Sequence, residues 1–274
     1  MTSPAPRSGA VSLACERFGE GPPLVFLHGL FGSGRNFRSI ARAFAPRFTC
    51  FLVDLRNHGQ SPHARPADYP AMAADLFALL DRQGLAAADL VGHSMAGKVA
   101  MYAALADPAR VRRLAVLDIA PIRYRHDHRQ LIDALLALEL STIRRRADAD
   151  AALAAAVPDA SLRAFLLQNL VFDAEGRAAW RVALAILRED MDRLLDFPLP
   201  NEDACFRGPA LFLRGGRSAY VPAEAEHAIR RLFPRAEFAT IADAGHWLHA
   251  ERPEDVRRAL ASFLAHPRDR RSAG

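Results

Sequence analysis

Short apolar segments alternate with amphipathic segments over the first 120 residues of the chain. Four apolar segments are typical of buried strands, and the first of them ends at a glycine: LVFLHG (24–29), TCFLVDL (49–55), ADLVGHS (88–94) and RLAVLDIAP (113–121). The segments between them carry apolar residues at helical spacing, and PAMAADLFALLDRQG (70–84) also starts with proline and ends with glycine. This alternation predicts an α/β fold with a mostly parallel central sheet flanked by helices on both faces.

The alternation stops between residues 122 and 205. This part contains several helical periods and no convincing strand. Strand patterns return with PALFLRGG (209–216) and AEFATIADAGH (236–246), and EDVRRALASFLA (254–265) predicts the last helix. We therefore expect one domain over residues 1–274, in which residues 122–205 form a helical cap inserted over the sheet.

Composition narrows the possible functions only slightly. The 274 residues, of which 51% are hydrophobic and 24% charged, suffice for one large globular domain. The net charge is +5, but the only lysine is Lys98 and the arginines are scattered, so no nucleic-acid partner is indicated. His58 and His63 lack acids or cysteines at metal-ligand spacing. His126 and His128 stand beside arginines in the predicted cap, where we expect solvated side chains, so we expect no metal and no cofactor.

The cysteines and the amino terminus bear on location. Cys15, Cys50 and Cys205 form no disulfide framework and indicate a reducing compartment. The first ten residues lack the apolar core of a secretory signal, and no run approaches the roughly 18 apolar residues that span a bilayer. We expect a cytoplasmic protein without a membrane span, and the oligomeric state stays open.

The segment VGHSMAGKVA (91–100) carries the strongest candidate for chemistry. It is close to G-x-S-x-G, the sharp turn between a strand and a helix that exposes a nucleophilic serine. Ser94 is the candidate nucleophile, and Ala96 stands where the pattern has its second glycine. An alanine adds one methyl group, and Gly97 follows it, so we expect the turn to tolerate the change. The alternative is a structural serine that caps a helix.

Other candidate residues follow the carboxyl ends of predicted strands, where open parallel sheets bind their ligands. A serine hydrolase needs a nucleophile, a histidine base, a carboxylate that orients the histidine, and N–H donors for the oxyanion. Ser94, Asp118 and His246 supply the first three and follow three different strands in the chain order serine, acid, histidine. Asp54 and Asp243 are weaker candidates for the acid, and Asp118 has the alternative role of accepting backbone N–H groups.

Several motifs from about residue 24 to residue 256 resemble one family. The chain is similar to the α/β-hydrolases, and among them to the YbfF-type acyl-CoA esterases and their mitochondrial abhydrolase relatives. The resemblance is carried by FLHGLFGSGRNF, VDLRNHGQSP, YPAMAADL, GHSMAGK, DIAPIRY, LFLRGGRSAYV and AGHWLHAERPEDV.

The resemblance implies roles for individual positions. Ser94 would be the nucleophile, His246 the base and Asp118 the acid, and the backbone N–H groups of Leu30 and Met95 would hold the oxyanion. The chain departs from many members of the fold at Ser218, where an aspartate is common.

These observations predict a serine hydrolase that cleaves a small-molecule carboxylic ester or acyl thioester, including an acyl-CoA, through an acyl-enzyme. The candidate substrate-binding residues stand at the start of the predicted cap: Arg123, Tyr124, Arg125 and Arg129. The three arginines are suited to binding the phosphate groups of an acyl-CoA. Two alternatives remain: a C–C bond hydrolase on the same fold, and a non-catalytic ligand-binding homologue. A dehalogenase is disfavoured because it uses an aspartate as nucleophile.

Overall fold

The computed structural model describes residues 9–125 and 127–265, so His126 lies outside the described part. Nine strands occur in this part: β1 Cys15–Phe18, β2 Pro23–Leu27, β3 Thr49–Val53, β4 Ala88–His93, β5 Val111–Leu117, β6 Leu170–Phe172, β7 Ala178–Trp180, β8 Ala210–Gly215 and β9 Ala236–Ile241. Each of the four apolar segments that were predicted as strands before residue 122 overlaps one of them.

Seven of the strands form the central sheet, in the order β1-β3-β2-β4-β5-β8-β9. Only β1 is antiparallel to its neighbour, and the other pairs are parallel. Strands β4 and β5 are neighbours near the middle of the sheet. The carboxyl ends of the parallel strands therefore meet along one edge, which brings residues from distant parts of the chain together.

Helices cover both faces of the sheet. The described helices, of which α4 to α8 belong to the inserted segment, are α1 Arg38–Phe44, α2 Tyr69–Arg82, α3 Met95–Ala106, α4 Arg129–Leu136, α5 Arg146–Leu153, α6 Ala160–Leu166, α7 Leu184–Glu189, α8 Met191–Leu195, α9 Ala225–Leu232, α10 Leu248–Glu251 and α11 Pro253–Ala265. Successive residues of a strand enter different cores: Val25 and Leu27 pack in the core on the α2 and α3 face, whereas Leu24 and Phe26 pack with α1 and α11. Burial on both faces explains why these strands are continuous apolar runs.

Five helices, α4 to α8, lie between β5 and β8, in the segment where the sequence predicts a helical cap. The expectation that this segment has no strand is wrong, because β6 and β7 form an antiparallel hairpin. Each strand of the hairpin has three residues, which is too short for an alternating pattern to stand out. Among the described helices, none is long and apolar enough to cross a bilayer.

Candidate active site

Ser94 lies at a sharp turn between the end of β4 and the start of α3. Its backbone has φ 52° and ψ −124°, a conformation that L-residues rarely adopt. The strand and the helix approach so closely that a Cβ at Gly92 would lie 2.4 Å from the carbonyl oxygen of Ala96. Ala96 itself is fully buried. The turn therefore needs glycine at position 92 and accepts alanine at position 96.

His246 follows β9 and reaches both neighbours with its ring nitrogens. Nε2 is 2.9 Å from Ser94 Oγ, and Nδ1 is 2.8 Å from Asp118 Oδ2. The ring of Tyr220 stacks on the imidazole, with 3.6 Å between centroids and 15° between planes. His93 Nε2 donates a hydrogen bond of 2.8 Å to the carbonyl oxygen of His246. Contacts to the ring face, to both ring nitrogens and to the backbone carbonyl of His246 thus hold the imidazole in place.

Asp118 follows β5, the strand beside β4, and its side chain is fully buried. Its Oδ1 accepts a 2.9 Å hydrogen bond from the backbone N–H of Gly215. Its Oδ2 accepts hydrogen bonds from both His246 Nδ1 and the hydroxyl of Ser218. The carboxylate therefore accepts a backbone N–H and also orients the histidine. Ser218, at the position where many members of the fold have an aspartate, is a donor to the acid.

The two weaker acid candidates lie elsewhere. Asp54 accepts backbone N–H groups from Gly34 and Gln60, each at 2.8 Å. Asp243 is an exposed side chain that pairs with Arg252 at 2.9 Å. Neither carboxylate is hydrogen-bonded to His246.

The two candidate oxyanion donors border the space around the serine hydroxyl. Leu30 sits in a turn closed by a 3.0 Å hydrogen bond from Gly32 N to the Gly29 carbonyl. A Cβ at Gly29 would be 3.2 Å from Ser94 Cβ, so glycine lets this turn lie against the serine. Met95 is the first residue of α3, where a helix N–H has no acceptor within the helix. Both residues therefore border the space beside the Ser94 side chain, and their role as oxyanion donors stays a prediction.

The family model described as "alpha/beta hydrolase fold" matches residues 22–253. The chain belongs to the α/β-hydrolase family. Its fold class is the one that the alternation of strands and helices predicts.

Several relatives of this α/β-hydrolase are named as esterases or lipases. It is 44% identical over 252 residues to the "sn-1-specific diacylglycerol lipase ABHD11" of Mus musculus, covering 89% of this chain and 81% of that protein. It is 37% identical over 246 residues to "Esterase YbfF" of Escherichia coli, covering 88% and 92%. The solved "Marine microorganism esterase" superposes with a TM-score of 0.90 at 35% identity, covering 93% and 100%. The hydrolase is therefore an enzyme of the esterase type.

Two apolar chambers meet at Ser94 in this hydrolase, and Leu30, His128 and Tyr220 also border both. The smaller chamber has a volume of about 40 Å³, and we call it the inner chamber. Its other lining residues include Tyr69, Met95, Lys98, Met191, Leu194 and Leu195. The larger chamber has a volume of about 220 Å³, and we call it the histidine chamber because His246 lines it. Its other lining residues include Phe31, Asn36, Leu162, Phe165 and Trp247. The scissile bond of a substrate at Ser94 would have one chamber on each side.

Lys98 is a site residue that the sequence analysis did not single out. It is 1% exposed, and its ammonium group donates to the carbonyl oxygens of Leu195 (3.0 Å) and Asp196 (2.8 Å). It also lies over the ring of Tyr124, 4.7 Å from the centroid. Burial lowers the pKa of Lys98 from its usual 10.5 to about 7. A single lysine within an apolar helix was the signal available in the sequence.

The predicted substrate-binding residues fall into two groups. Tyr124 lines the inner chamber and its hydroxyl accepts a 2.9 Å hydrogen bond from Ala120 N. Arg123 pairs with Asp196 (3.3 Å), and Arg129 pairs with Asp127 (2.5 Å) and Asp192 (2.9 Å). Arg125 is exposed. These three arginines border neither chamber.

Four further histidines surround the site, and burial lowers the pKa of each. The pKa falls to about 4 in His28 and His249 and to about 3 in His58, and it lies well below the usual 6.5 in His93. They are therefore neutral near pH 7. His28 Nδ1 donates to the Gly29 carbonyl at 2.8 Å, so it supports the turn at Leu30. Among the described residues, no three His, Cys, Asp or Glu side chains group as metal ligands.

Proposed function

We propose that this hydrolase cleaves small-molecule carboxylic esters through an acyl-enzyme formed on Ser94, with His246 as general base and Asp118 as the orienting acid of a catalytic triad. One observation carries the proposal: the unbroken hydrogen-bonded chain from Ser94 Oγ through the imidazole to the buried Asp118 carboxylate, with distances of 2.9 and 2.8 Å. This is the arrangement that activates a serine hydroxyl in acyl transfer.

In the first half-reaction, His246 Nε2 accepts the hydroxyl proton while Ser94 Oγ attacks the acyl carbonyl. The negative charge that develops on the carbonyl oxygen is stabilised by the N–H groups of Leu30 and Met95. Asp118 stabilises the imidazolium and keeps Nδ1 protonated, because its Oδ2 accepts that hydrogen. His246 then donates the proton to the leaving alcohol.

In the second half-reaction, His246 takes a proton from water, and the water oxygen attacks the acyl-enzyme. The Ser94–acyl bond breaks, the carboxylic acid leaves, and the proton returns to Ser94 Oγ. The steps need no metal or cofactor, because the imidazole alone moves every proton.

Each of the two chambers would hold one half of the substrate. The leaving alcohol must lie on the side of His246, which protonates it, so it occupies the histidine chamber. The acyl group then extends into the inner chamber, between α3 and α8. The relatives named as diacylglycerol lipases and esterases support an oxygen ester as the substrate class.

An acyl thioester, including an acyl-CoA, remains a narrower prediction. The arginines proposed to hold its phosphates are mostly occupied, since Arg123 and Arg129 already pair with aspartates. A cytoplasmic location also remains a prediction, supported by the three cysteines being free thiols.

The test is labelling by a fluorophosphonate probe combined with hydrolysis of p-nitrophenyl acetate. Ser94→Ala should lose the label and at least about 10³-fold of kcat while keeping its circular dichroism spectrum. Ser39→Ala, which changes an exposed serine on α1, is the matched control and should keep both.

Three results would reject the proposal. Labelling and turnover retained in Ser94→Ala would place the nucleophile elsewhere. A folded wild-type protein that neither labels nor hydrolyses any ester would favour the ligand-binding homologue, and one that labels but cleaves only carbon–carbon bonds would favour the C–C hydrolase.

A further inference from the structure

A third and much larger cavity, of about 930 Å³, adjoins the histidine chamber. The two share Phe31 and Asn36 as walls, and none of the three proposed triad residues lines the larger one. Its lining is polar and includes four arginines, for which we call it the arginine cleft: Arg35, Arg38, Arg146 and Arg181. The cleft runs between the edge of the sheet and the segment that carries α5 and α6.

Two carboxylates also line the cleft, and both are engaged. Glu16 pairs with Arg38, with 2.6 Å between Oε1 and Nη2. Asp54 accepts the backbone N–H groups of Gly34 and Gln60. Four arginines against two acids leave the lining with a net charge of +2. A dianionic group of one ligand would balance that charge.

Two of the guanidinium groups are available to a ligand. Within residues 9–125 and 127–265, Arg35 and Arg181 have no carboxylate at ion-pair distance. Arg146 is held in place, because its Nε and Nη2 donate to the carbonyl oxygens of Leu167 (3.1 Å) and Leu170 (2.7 Å). Its remaining donors stay free to bond a ligand.

The two walls of the cleft are tied together beside the shared boundary. Asn169, which is buried, donates from Nδ2 to the carbonyl oxygen of Phe31 at 2.8 Å and to that of Leu166 at 3.2 Å. This side chain joins the end of α6 to the turn that carries Leu30. This link holds the two walls of the cleft in place next to the histidine chamber, so the cleft is formed before a ligand binds.

We propose that the arginine cleft binds a phosphate group carried by the leaving alcohol of the ester. The inference rests on the proposed function, since that function places the alcohol on the His246 side of Ser94. The histidine chamber is lined there by Leu162, Phe165 and Trp247, which suit an alkyl spacer. Past Phe31 the lining changes to guanidinium groups, which bind phosphate oxygens by paired, charge-assisted hydrogen bonds.

The test uses matched esters that differ only in the phosphate. One is the acetyl ester of 8-hydroxyoctyl phosphate and the other the monoacetyl ester of octane-1,8-diol. A second pair has a two-carbon spacer, which is too short for its phosphate to pass through the histidine chamber. For the wild type we expect kcat/KM to favour the phosphorylated ester about ten- to hundredfold with the long spacer, and no such preference with the short one.

The variant that tests the cleft is Arg35→Gln/Arg181→Gln, which removes both unpaired guanidinium groups. The ratio of kcat/KM for the long phosphorylated ester to that for its neutral partner should fall at least about tenfold. Arg231→Gln, an exposed arginine on α9, is the matched control and should keep the ratio. Inorganic phosphate should compete with the long phosphorylated ester and leave the neutral ester unaffected.

The outcomes separate this inference from the proposed function. A wild-type ratio near one, or a ratio unchanged in the double variant, overturns the cleft assignment while hydrolysis of the neutral ester stands. A ratio near one combined with an effect of inorganic phosphate on the neutral ester shows a separate phosphate site and also overturns it. Failure of both esters together with absent labelling of Ser94 rejects the proposed function itself.

Discussion

The hydroxyl of Ser218 donates its hydrogen bond to Asp118 Oδ2, the same oxygen that accepts the proton of His246 Nδ1. Residue 218 follows β8, and Asp118 follows the neighbouring strand β5. The two strand ends thus converge on one point beside the imidazole. A carboxylate from either strand can occupy this point, so the absence of an aspartate at position 218 leaves the histidine with its acid.

Asp118→Asn should lower kcat about 10⁴-fold with little change in KM. The amide keeps the shape but removes the charge that stabilises the imidazolium, and its NH₂ favours the wrong histidine tautomer. Steady-state kinetics on p-nitrophenyl acetate measures the loss. Asp243→Asn, an exposed aspartate near the histidine in sequence, is the control and should stay near wild type. If Asp118→Asn remains within a few-fold of wild type, the enzyme works with a Ser–His dyad.

Ser218→Asp should partly rescue the Asp118→Asn variant. The side chain at position 218 already touches the oxygen that His246 contacts, so a carboxylate there lies beside Nδ1. We expect kcat of the double variant to exceed that of Asp118→Asn by about tenfold or more. Asp118→Asn/Ser218→Asn has the same shape without the charge and should show no recovery. Equal rates for the two double variants would show that position 218 cannot supply the acid.

Lys98 should give the folded protein a distinct pH dependence of stability. Its pKa is about 7 in the folded state, against an ordinary 10.5, so between these pH values the unfolded chain holds a proton that the folded chain lacks. The free energy of unfolding should therefore rise with pH over this window, by up to about 1.4 kcal/mol per pH unit, and this contribution should be lost as the pH falls towards 7.

Urea denaturation of wild type and Lys98→Met from pH 7.5 to 9.5 measures this contribution. The methionine variant should lack the rise, so the difference in unfolding free energy changes with pH. Met101→Leu, a buried position on the same helix without a titrating group, should keep it. Parallel curves for wild type and Lys98→Met would contradict the buried ammonium as the source.

The inner chamber should restrict the acyl group. Its volume of about 40 Å³ favours acetyl to butyryl over octanoyl p-nitrophenyl esters, because a longer chain meets α8. Leu194→Ala should shift the optimum of kcat/KM to longer acyl groups, with a gain of about tenfold for the favoured longer ester. Leu162→Ala, which changes the histidine chamber, should leave the acyl preference as it is. An optimum at octanoyl in the wild type would show that the acyl group occupies another space.

The order of strands and helices could be predicted from the sequence because each element has its own local pattern of apolar and polar residues. Apolar runs such as those containing β2 and β4 are buried on both faces, and the amphipathic segments between them cover the sheet. The hairpin of β6 and β7 could not be predicted in the same way, since three residues carry almost no periodic signal. The candidate triad followed from strand ends, because parallel strands bring their carboxyl ends to one edge.

The sequence by itself thus determined the fold class and the three residues whose side chains meet at the strand ends. Only the tertiary structure decided that Ser218 supports Asp118, that Lys98 bonds the carbonyl of Leu195 at the end of α8, and that the arginine cleft lies beside the histidine chamber. These contacts join positions about a hundred or more residues apart in the chain, such as Asn169 and Phe31. No local pattern specifies them, because they depend on how the inserted helices pack over the edge of the sheet.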